Sequence, residues 1–301
     1  MVREFLEAKD RLLGIAYGIT GDLGAAEDIV QDAWLRLSRA GTGADAIDDV
    51  TGWLVVTTSR LALDYVRSAR FRREQYVGPW LPEPLVDGPE DRVTMAESVN
   101  MALLVVLETL SPAERTVFVL HEVFGMPFAE VAEAVGRTPA AVRQLAARAR
   151  KHVRARTPRY DLDHGQQKQV VEAFARACVG RDLDGLVRLL DPDVVLNSDG
   201  GGQVKAARNP VFGADKVARF LVGIGRNLAT VDYRSVTVNG WAGLVRVVDG
   251  RLHSVLALTT ADRRVTAIDL VANPEKLTRV HVLLDPPLID NERTRQLWNR
   301  G

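Results

Sequence analysis

The sequence predicts a multidomain chain in which two all-α domains precede an α+β domain with a curved antiparallel sheet. Helical periodicity dominates the chain up to about Arg159, and strand-like segments joined by tight-turn dipeptides dominate residues 231–272. At 301 residues and 47% hydrophobic content, the chain can fill more than one core. The single cysteine, Cys178, excludes an intramolecular disulfide and a cysteine-based zinc site.

The charges of the chain balance, since Lys and Arg total 39 and Asp and Glu total 39. Affinity for nucleic acid must therefore come from local basic patches. The sequence has no apolar run of about 18 residues, so it predicts no membrane span. Charges throughout Met1 to Gly14 also argue against a secretory signal, and we expect a cytoplasmic protein.

The N-terminal segment alternates amphipathic helices with short breaks. Gly21-Asp22 is predicted to end a first helix and cap a second, which spans Ala25 to Leu37. The polar face of this second helix carries Glu27, Asp28, Gln31 and Asp32. Acids in a first turn suit the helix dipole, which is an alternative explanation for Glu27 and Asp28 but explains Asp32 poorly.

A third helix is predicted from Gly52-Trp53-Leu54 to about Arg73, and its second half is basic. Its arginines are Arg60, Arg67, Arg70, Arg72 and Arg73, interleaved with the aromatic residues Trp53, Tyr65 and Phe71. Bases stack on aromatic rings and phosphates pair with guanidinium groups, so this helix suits single-stranded nucleic acid. Core aromatic residues beside a solvated charge run are an equally good explanation.

The segment from Pro127 to Lys151 has the pattern of a helix-turn-helix. Gly136 permits the tight turn, and Thr138 with Pro139 supplies an N-cap and a helix-compatible first position. The residues expected to face DNA are Arg137, Thr138, Ala140, Ala141, Arg143, Gln144, Arg148 and Lys151. A basic helix can be merely a solvated face, but here the turn, the cap and an apolar stripe coincide with the charge.

A proline-rich linker, residues 76–94, separates the two helical parts. Its four prolines forbid a regular helix, as in a stiff spacer without a partner. A free spacer has no reason to expose Trp80 and Leu81, so we expect docking on another surface.

Beyond Thr157-Pro158 the basic character ends, which predicts a domain boundary. Two helical stripes precede the strand-like segments Val194–Leu196, Val231–Val238, Ala242–Val248, Leu252–Thr260 and Val265–Ala272. Asn239-Gly240 and Asp249-Gly250 are strong signals for tight hairpins. Helices followed by a curved antiparallel sheet form an α+β cone with an interior pocket.

Two signatures in this order closely resemble a known family. Gly21 to Leu37 and Trp53 to Arg67 resemble region 2, and Leu110 to Lys151 resembles region 4, of extracytoplasmic function (ECF) sigma factors of the sigma-70 family. These are small promoter-recognition subunits of bacterial RNA polymerase. The resemblance implies core RNA polymerase and promoter DNA as partners, and it implies no cofactor.

In that family the acidic helix docks on the large polymerase subunit, the basic helix melts and reads the −10 element, and region 4 reads the −35 element. Carried over by position, polymerase would contact Glu27, Asp28, Gln31, Asp32 and Leu35, and the −10 DNA would contact Arg60, Arg67 and Arg70. The exposed residues of the helix-turn-helix would contact the −35 DNA. Leu145 departs from the pattern, because an arginine often stands there.

The second half resembles the SnoaL-like domain, a fold shared by small enzymes and non-catalytic binding modules. The motifs Trp80-Leu81-Pro82-Glu83-Pro84, Asp199-Gly200-Gly201-Gly202 and Asn273-Pro274-Glu275-Lys276-Leu277 match the sigma group that carries a fused SnoaL-like domain. This resemblance implies regulation in cis through contacts among the three motifs. Ordinary turns remain the alternative for the last two motifs, whereas a phosphate loop lacks its Gly-Lys-Ser/Thr.

The expected domains are region 2 (1–75), the linker (76–94), region 4 (95–159), the SnoaL-like domain (160–277) and a tail (278–301). We expect a regulated sigma factor without enzyme activity.

The alternative is a bifunctional chain whose C-terminal domain is an enzyme or a ligand sensor with a small ligand in its pocket. Asp199, His253 and Asp269 are its candidate acid-base residues, although a lone strand histidine is more often structural. The histidines show no metal-ligand spacing.

Overall fold

The computed structural model describes residues 1–40, 47–74, 76–86, 100–160, 163–224 and 231–280, with residues 70–74 described by their backbone only. The chain divides into two compact units. The helical unit comprises Met1–Gln75 and Gly88–Thr157, and the C-terminal unit comprises Tyr76–Asp87 and Pro158–Gly301. No helix in the described ranges is both long and apolar enough to cross a membrane.

The helical unit is built from seven described helices and one π-helical turn. They are α1 (Val2–Thr20), α2 (Leu23–Ala40), α3 (Val50–Glu74), α4 (Met101–Leu107), α5 (Pro112–Phe118), the π-helical turn Val119–Val123, α6 (Phe128–Val135) and α7 (Pro139–Arg156). Helices α1, α2 and α3 pack on one another, and α5 packs on α7. The largest buried side chains include Leu12, Ile15, Tyr17, Leu37 and Leu54.

Most helix ends lie where the sequence signals predicted them. Gly21 ends α1 in the left-handed region with φ 66°, and Gly136 ends α6 with φ 65°. The sequence Ser111-Pro112-Ala113-Glu114 has the pattern of a capping box, and Ser111 and Glu114 form this reciprocal box at the start of α5. The helical pattern from Thr94 to Leu110 predicts a helix over that range. In the structure α4 ends earlier, at Leu107, and residues 94–99 lie outside the described ranges.

A buried arginine joins the two helical halves of this unit. Arg115 on α5 is 2% exposed, and its guanidinium donates to the carbonyl oxygens of Leu107 at 3.0 Å and Ile19 at 3.1 Å. It also pairs with the Glu108 carboxylate. One side chain therefore links the C-terminal ends of α1 and α4, where the Leu107 carbonyl also accepts the N–H of Leu110 at 3.1 Å.

The C-terminal unit is an α+β cone with a six-stranded sheet in the order β2-β1-β6-β5-β4-β3. Its elements are α8 (His164–Gly180), α9 (Leu183–Leu189), β1 (Leu190–Asp199), β2 (Val211–Phe212), α10 (Ala214–Ile224), β3 (Val231–Val238), β4 (Trp241–Val248), β5 (Arg251–Ala261), β6 (Arg264–Val271) and α11 (Pro274–Leu277). Strands β3 to β6 form the expected antiparallel meander, and β1 adds parallel to β6, so the whole sheet is mixed.

The predicted hairpins connect β3 to β4 and β4 to β5. Asn239 and Asp249 have φ of 49° and 48°, and the glycines that follow them have φ of 80° and 74°. Positive φ at both central residues is the type I′ pattern, which matches the twist of the flanking strands.

The sheet has two different faces. The helix-side face packs against α8, α9 and α10 through residues such as Phe174, Leu196, Leu244, Leu256 and Ile268. Because side chains alternate along a strand, Asn197, Asp199 and Asp269 lie on the opposite face. We call this opposite face the linker-side face, because Asp199 accepts a hydrogen bond from the linker.

Candidate functional site

The helix-turn-helix presents its predicted DNA-facing residues to solvent. Arg137, Thr138, Ala140, Arg143, Gln144, Arg148 and Lys151 are exposed, and Ala141 is half-buried. The Thr138 hydroxyl accepts the N–H of Ala141 at 3.3 Å and thereby caps α7. Beneath this surface Val142, Leu145, Ala146 and Ala149 are buried, so Leu145 belongs to the core.

Weak contacts hold two arginines of α7 in place. Arg148 Nε lies 3.4 Å from Glu114 Oε1, and the Arg143 guanidinium carbon lies 5.4 Å from the centroid of the Phe128 ring. The Arg148 side chain is 66% exposed, so water screens its ion pair and the pair costs little to break. Both arginines can therefore exchange these partners for bases or phosphates.

The basic half of α3 is already engaged within the helical unit. Arg60 Nη2 donates to the backbone carbonyl of Glu133 on α6 at 2.9 Å, and Arg67 pairs with Asp64 at 3.2 Å. The Tyr65 hydroxyl donates to Asp22 Oδ2 at 3.0 Å, which gives this ring a structural role. The side chain of Arg70 lies outside the described residues.

The polar face of α2 combines acids with an exposed apolar residue. Asp28 and Gln31 are exposed, Glu27 and Asp32 are half-buried, and Asp32 pairs with Arg36 at 3.0 Å. Leu35 is 45% exposed on the same helix. An accessible apolar side chain next to carboxylates suits a protein partner with a basic rim.

The linker motif lies on the C-terminal unit, where Asp199 is its main anchor. Asp199 is fully buried and accepts the N–H of Leu81 at 2.9 Å and the hydroxyl of Tyr76 at 2.5 Å. Its other contacts are the N–H of Gly201 at 3.0 Å and Lys276 Nζ at 2.7 Å. Four donors, two of them from the linker, therefore satisfy one buried carboxylate.

Lys276 and Asn273 extend this anchor. Lys276 Nζ also donates to the Leu81 carbonyl and lies 3.8 Å from the centroid of the Trp80 ring. Asn273 Nδ2 donates to the Tyr76 hydroxyl oxygen at 2.8 Å, and Asn273 caps α11. Burial and the hydrogen bond to Asp199 raise the pKa of Tyr76, so its proton stays in place.

The glycine motif allows this close approach. Gly201 has φ 65°, and a Cβ there would lie 2.6 Å from Asn273 Cγ. A Cβ at Gly200 would lie 2.3 Å from the Val204 carbonyl oxygen, whereas Gly202 faces Val77 at 3.6 Å. The first two positions therefore have no space for a side chain.

The other end of the described linker pairs with β3 and its turn. The N–H of Leu85 donates to Asn239 Oδ1 at 3.1 Å, and the N–H of Asn239 donates to the Leu85 carbonyl at 2.8 Å. Val86 forms a β-bridge with Val238. Residues 81–86 are all buried, and Glu83 lies 4.0 Å from Arg279.

The remaining residues of the third motif, Pro274, Glu275 and Leu277, belong to α11. The Glu275 carboxylate accepts a hydrogen bond from the Gln203 side chain at 2.9 Å.

Sequence reasoning missed Tyr76 and Asn239 as partners of the linker. Tyr76 lies four residues before Trp80, and nothing in this spacing reveals a contact with residue 199. The Asn239-Gly240 dipeptide predicts a tight turn and thus the positive φ of Asn239. It does not predict that the Asn239 side chain accepts a hydrogen bond from the Leu85 N–H.

The three candidate acid-base residues do not form one catalytic group. Asp199 is saturated by the contacts above, and Asp269 is buried on the same face, where Asn197 Nδ2 donates to it at 2.8 Å. Burial raises the pKa of Asp269 to about 6, against the opposing effect of Asn197. His253 lies in a bulge of β5 and contacts neither aspartate among the described residues. Within the described ranges no cluster of histidine, cysteine and acidic residues is arranged to hold a metal.

The chain resembles known proteins over most of its length. Residues 5–72 match the family model for sigma-70 region 2, and residues 100–153 match the family model for sigma-70, region 4. The chain is 42% identical to the ECF RNA polymerase sigma factor SigJ of Mycobacterium tuberculosis over 294 residues, covering 92% of this chain and 93% of SigJ. It is 39% identical over 286 residues to the probable ECF RNA polymerase sigma factor SigI of the same species, covering 93% and 91%.

A solved structure extends the likeness to three dimensions. The crystal structure of the Mycobacterium tuberculosis ECF sigma factor SigJ superposes with a TM-score of 0.76 at 38% identity, covering 92% of this chain and 98% of that one. The similarity thus includes the C-terminal cone as well as the two helical regions. Two family models in the right order and relatives that match nearly end to end lead to one conclusion: the chain belongs to the ECF RNA polymerase sigma factor family.

Proposed function

We propose that the C-terminal cone sets the activity of this sigma factor in cis by holding the linker. The observation that carries this proposal is the buried carboxylate of Asp199, which binds linker residues Tyr76 and Leu81 as well as Lys276. A domain without a regulatory role has no need to bury the segment that connects regions 2 and 4.

Covalent geometry explains how this anchor acts. A free connection between the two regions spans residues 76–94, but anchoring residues 76–86 leaves only residues 87–94 to reach region 4. A shorter connection reaches less far, so anchoring limits how regions 2 and 4 separate to span the −10 and −35 elements. The proposed switch has two states, one in which the linker is bound to the cone and one in which it is released.

We also propose a division of work within the helical unit. The α2 face with Asp28, Gln31 and Leu35 docks on core RNA polymerase, the α3 arginines contact the −10 element, and the exposed face of α7 reads the −35 element. Solvent exposure of α7 and of Asp28, Gln31 and Leu35 supports these roles. The chain acts in the cytoplasm, where bacterial RNA polymerase transcribes.

We propose that the cone itself has no catalytic turnover. Asp199, the strand-end carboxylate considered for acid-base work, has its oxygens occupied by four donors. A general base needs a free lone pair directed at the substrate, which leaves this carboxylate unsuited to the role.

Run-off transcription tests the linker proposal. Asp199→Asn in the full chain weakens the bonds to Lys276 and Tyr76 and should change transcription with purified core polymerase by at least about fivefold, with core affinity unchanged. The matched control is Gln203→Ala, which removes a hydrogen bond to Glu275 without touching the linker. Equal transcription by the wild type and Asp199→Asn at several promoters would rule out regulation through this anchor.

A further inference from the structure

An unusual group of buried polar atoms lies on β4 and β5. Of the five buried side-chain atoms without a hydrogen-bond partner in the described part of the chain, three belong to Arg246, His253 and Ser254. Arg246 and Ser254 are directly opposite each other in the antiparallel register, and the adjacent register shift leaves His253 unpaired in the ladder. Folded proteins rarely leave such atoms unsatisfied, so their concentration at one place requires a physical reason.

The Arg246 guanidinium is the charged member of the group. Arg246 is 2% exposed, its Nε has no partner, and its Nη2 donates to the Ile224 carbonyl at the long distance of 3.3 Å. No salt bridge to Arg246 is found among the described acids, and a buried cation without a counter-charge is costly.

The side chains around Arg246 supply no negative charge. Burial, and secondly Arg246 itself, lowers the pKa of His253, so its imidazole is neutral at neutral pH. Burial raises the pKa of the Cys178 thiol to about 12, and Tyr233, whose hydroxyl donates to the Cys178 sulfur, also has a raised pKa. Among the described residues, the cluster therefore carries one positive charge without a carboxylate partner.

The position of the cluster in the fold favours an organic ligand. Tyr233, Arg246 and Ser254 are cross-strand neighbours on the helix-side face, which carries the apolar core of the cone. Leu244 and Leu256 lie two positions away from them on the same face. A cation and a hydroxyl thus adjoin the buried apolar core of the cone, an environment that suits a ligand with one charged end and an apolar body.

Arg234 is a second buried arginine in this sheet, and it has a carboxylate partner although its Nη1 lacks a hydrogen bond. It lies one residue from Tyr233, on the linker-side face, and its Nε contacts Asp232 Oδ2 at 3.1 Å. Its burial, 7% exposed, is similar to that of Arg246, but its charge is neutralised. Of these two arginines, only Arg246 lacks a carboxylate partner in the described part of the chain.

We propose that Arg246, with Ser254 and His253, binds the carboxylate of a small organic acid inside the cone. A guanidinium presents parallel N–H groups that match the two oxygens of a carboxylate, and the Ser254 hydroxyl adds a third donor. One cation balances one negative charge, which favours a monocarboxylate over a phosphate dianion. This site goes beyond the regulation proposed above, since holding the linker uses the other face of the sheet.

Binding to the full chain, without polymerase or DNA, tests the site. The probes are acetate, butyrate, octanoate and benzoate, with benzamide and inorganic phosphate as controls. We expect the Arg246 Nε–H resonance in the 15N NMR spectrum to shift on titration with the acids, with affinity rising with apolar size. The Arg234 Nε–H resonance serves as the internal control and should stay in place.

Variants separate recognition from folding. Arg246→Gln should weaken binding of the tightest acid about tenfold to a hundredfold, the usual range for a charge-assisted pair, whereas Arg234→Gln should leave it unchanged. If Arg246→Gln does not fold, two other measurements still test the site. Ser254→Ala removes one hydrogen-bond donor and should weaken acid binding severalfold, and the Arg246 resonance of the wild type should still shift on titration. The proposal is overturned if none of the four acids shifts the Arg246 resonance, if benzamide shifts it equally, or if phosphate alone does so.

Discussion

Arg60 on α3 donates from Nη2 to the backbone carbonyl of Glu133 at 2.9 Å, and Glu133 Oε1 lies 3.8 Å from the same guanidinium. An arginine expected to contact −10 DNA is therefore bound to the last turn of α6, the first helix of the helix-turn-helix. The same N–H cannot serve this carbonyl and a phosphate at once. Because the Arg60 side chain is 54% exposed, exchanging one partner for the other costs little.

Charge reversal on α2 should weaken polymerase binding. Asp28→Lys with Asp32→Lys places two positive charges where a basic partner surface is expected, and close interfacial charge pairs are each worth on the order of 1.5–5 kcal/mol. Fluorescence titration with core polymerase measures the effect, and Asp184→Lys on the exposed surface of α9 is the control. Equal core affinity for the double variant and the wild type would refute the assignment of this face.

Two exposed residues of α7 should affect DNA binding differently. Arg143→Ala should lose about 1–3 kcal/mol at a single base position if its side chain reads a base, whereas Lys151→Ala should weaken binding to all sequences alike. A promoter library ranked for each variant distinguishes these results. An unchanged ranking for Arg143, Gln144 and Arg148 variants would mean that this helix does not read bases.

Arg115→Ala should strongly destabilise the helical unit. It leaves the carbonyls of Ile19 and Leu107 and the Glu108 carboxylate without their buried donor, which typically costs about 3–5 kcal/mol. Urea denaturation followed by circular dichroism measures the loss. Arg150→Ala removes a half-exposed pair with Glu122 at 3.2 Å and should cost under about 1 kcal/mol. Similar losses for both variants would contradict the structural role of Arg115.

Asp269 should make the C-terminal unit less stable as pH rises. Its pKa is about 6 in the folded chain, against the ordinary value of 3.8 for an aspartate, so the folded state holds the proton more tightly. The native state binds more protons between these values, and stability must fall across this window by on the order of 3 kcal/mol. Asp269→Asn should therefore be more stable than the wild type at pH 7.5.

The difference between wild type and Asp269→Asn should shrink as pH falls from about 6 and disappear near pH 3, where the wild-type carboxyl is mostly protonated in both states. Thermal unfolding from pH 3 to pH 8 measures it. A difference that is constant across this range would show that Asp269 does not titrate there.

Local signals in the sequence predicted much of the fold. Gly136, the Ser111 capping box and Asn239-Gly240 each act within a few residues, so their patterns define a helix end or a turn without knowledge of the rest. Parallel pairing of β1 with β6 joins residues about 70 positions apart and leaves no such pattern. The burial of Arg115 was equally invisible in the sequence, because it depends on a contact with the carbonyl of Ile19, 96 residues away.

Among the candidate site residues, too, only those set by a local pattern could be predicted from the sequence. Helical periodicity predicts which positions of α7 face outward, and Arg143 and Gln144 are exposed as that periodicity predicts. The linker motifs were recognised by resemblance, because no spacing rule connects Leu81 to Asp199. Arg246 gave no sequence signal, since a lone arginine within a strand is usually exposed and its burial appears only in the assembled sheet.

The burial of Asp199 has a consequence for how the linker leaves. Withdrawing Tyr76 and Leu81 removes two of its four donors and leaves a charged group poorly solvated until water replaces them. Partial detachment is therefore higher in energy than either end state. The linker should respond to a signal with a threshold, remaining attached as the signal grows and then detaching in a single step, rather than loosening in proportion to it.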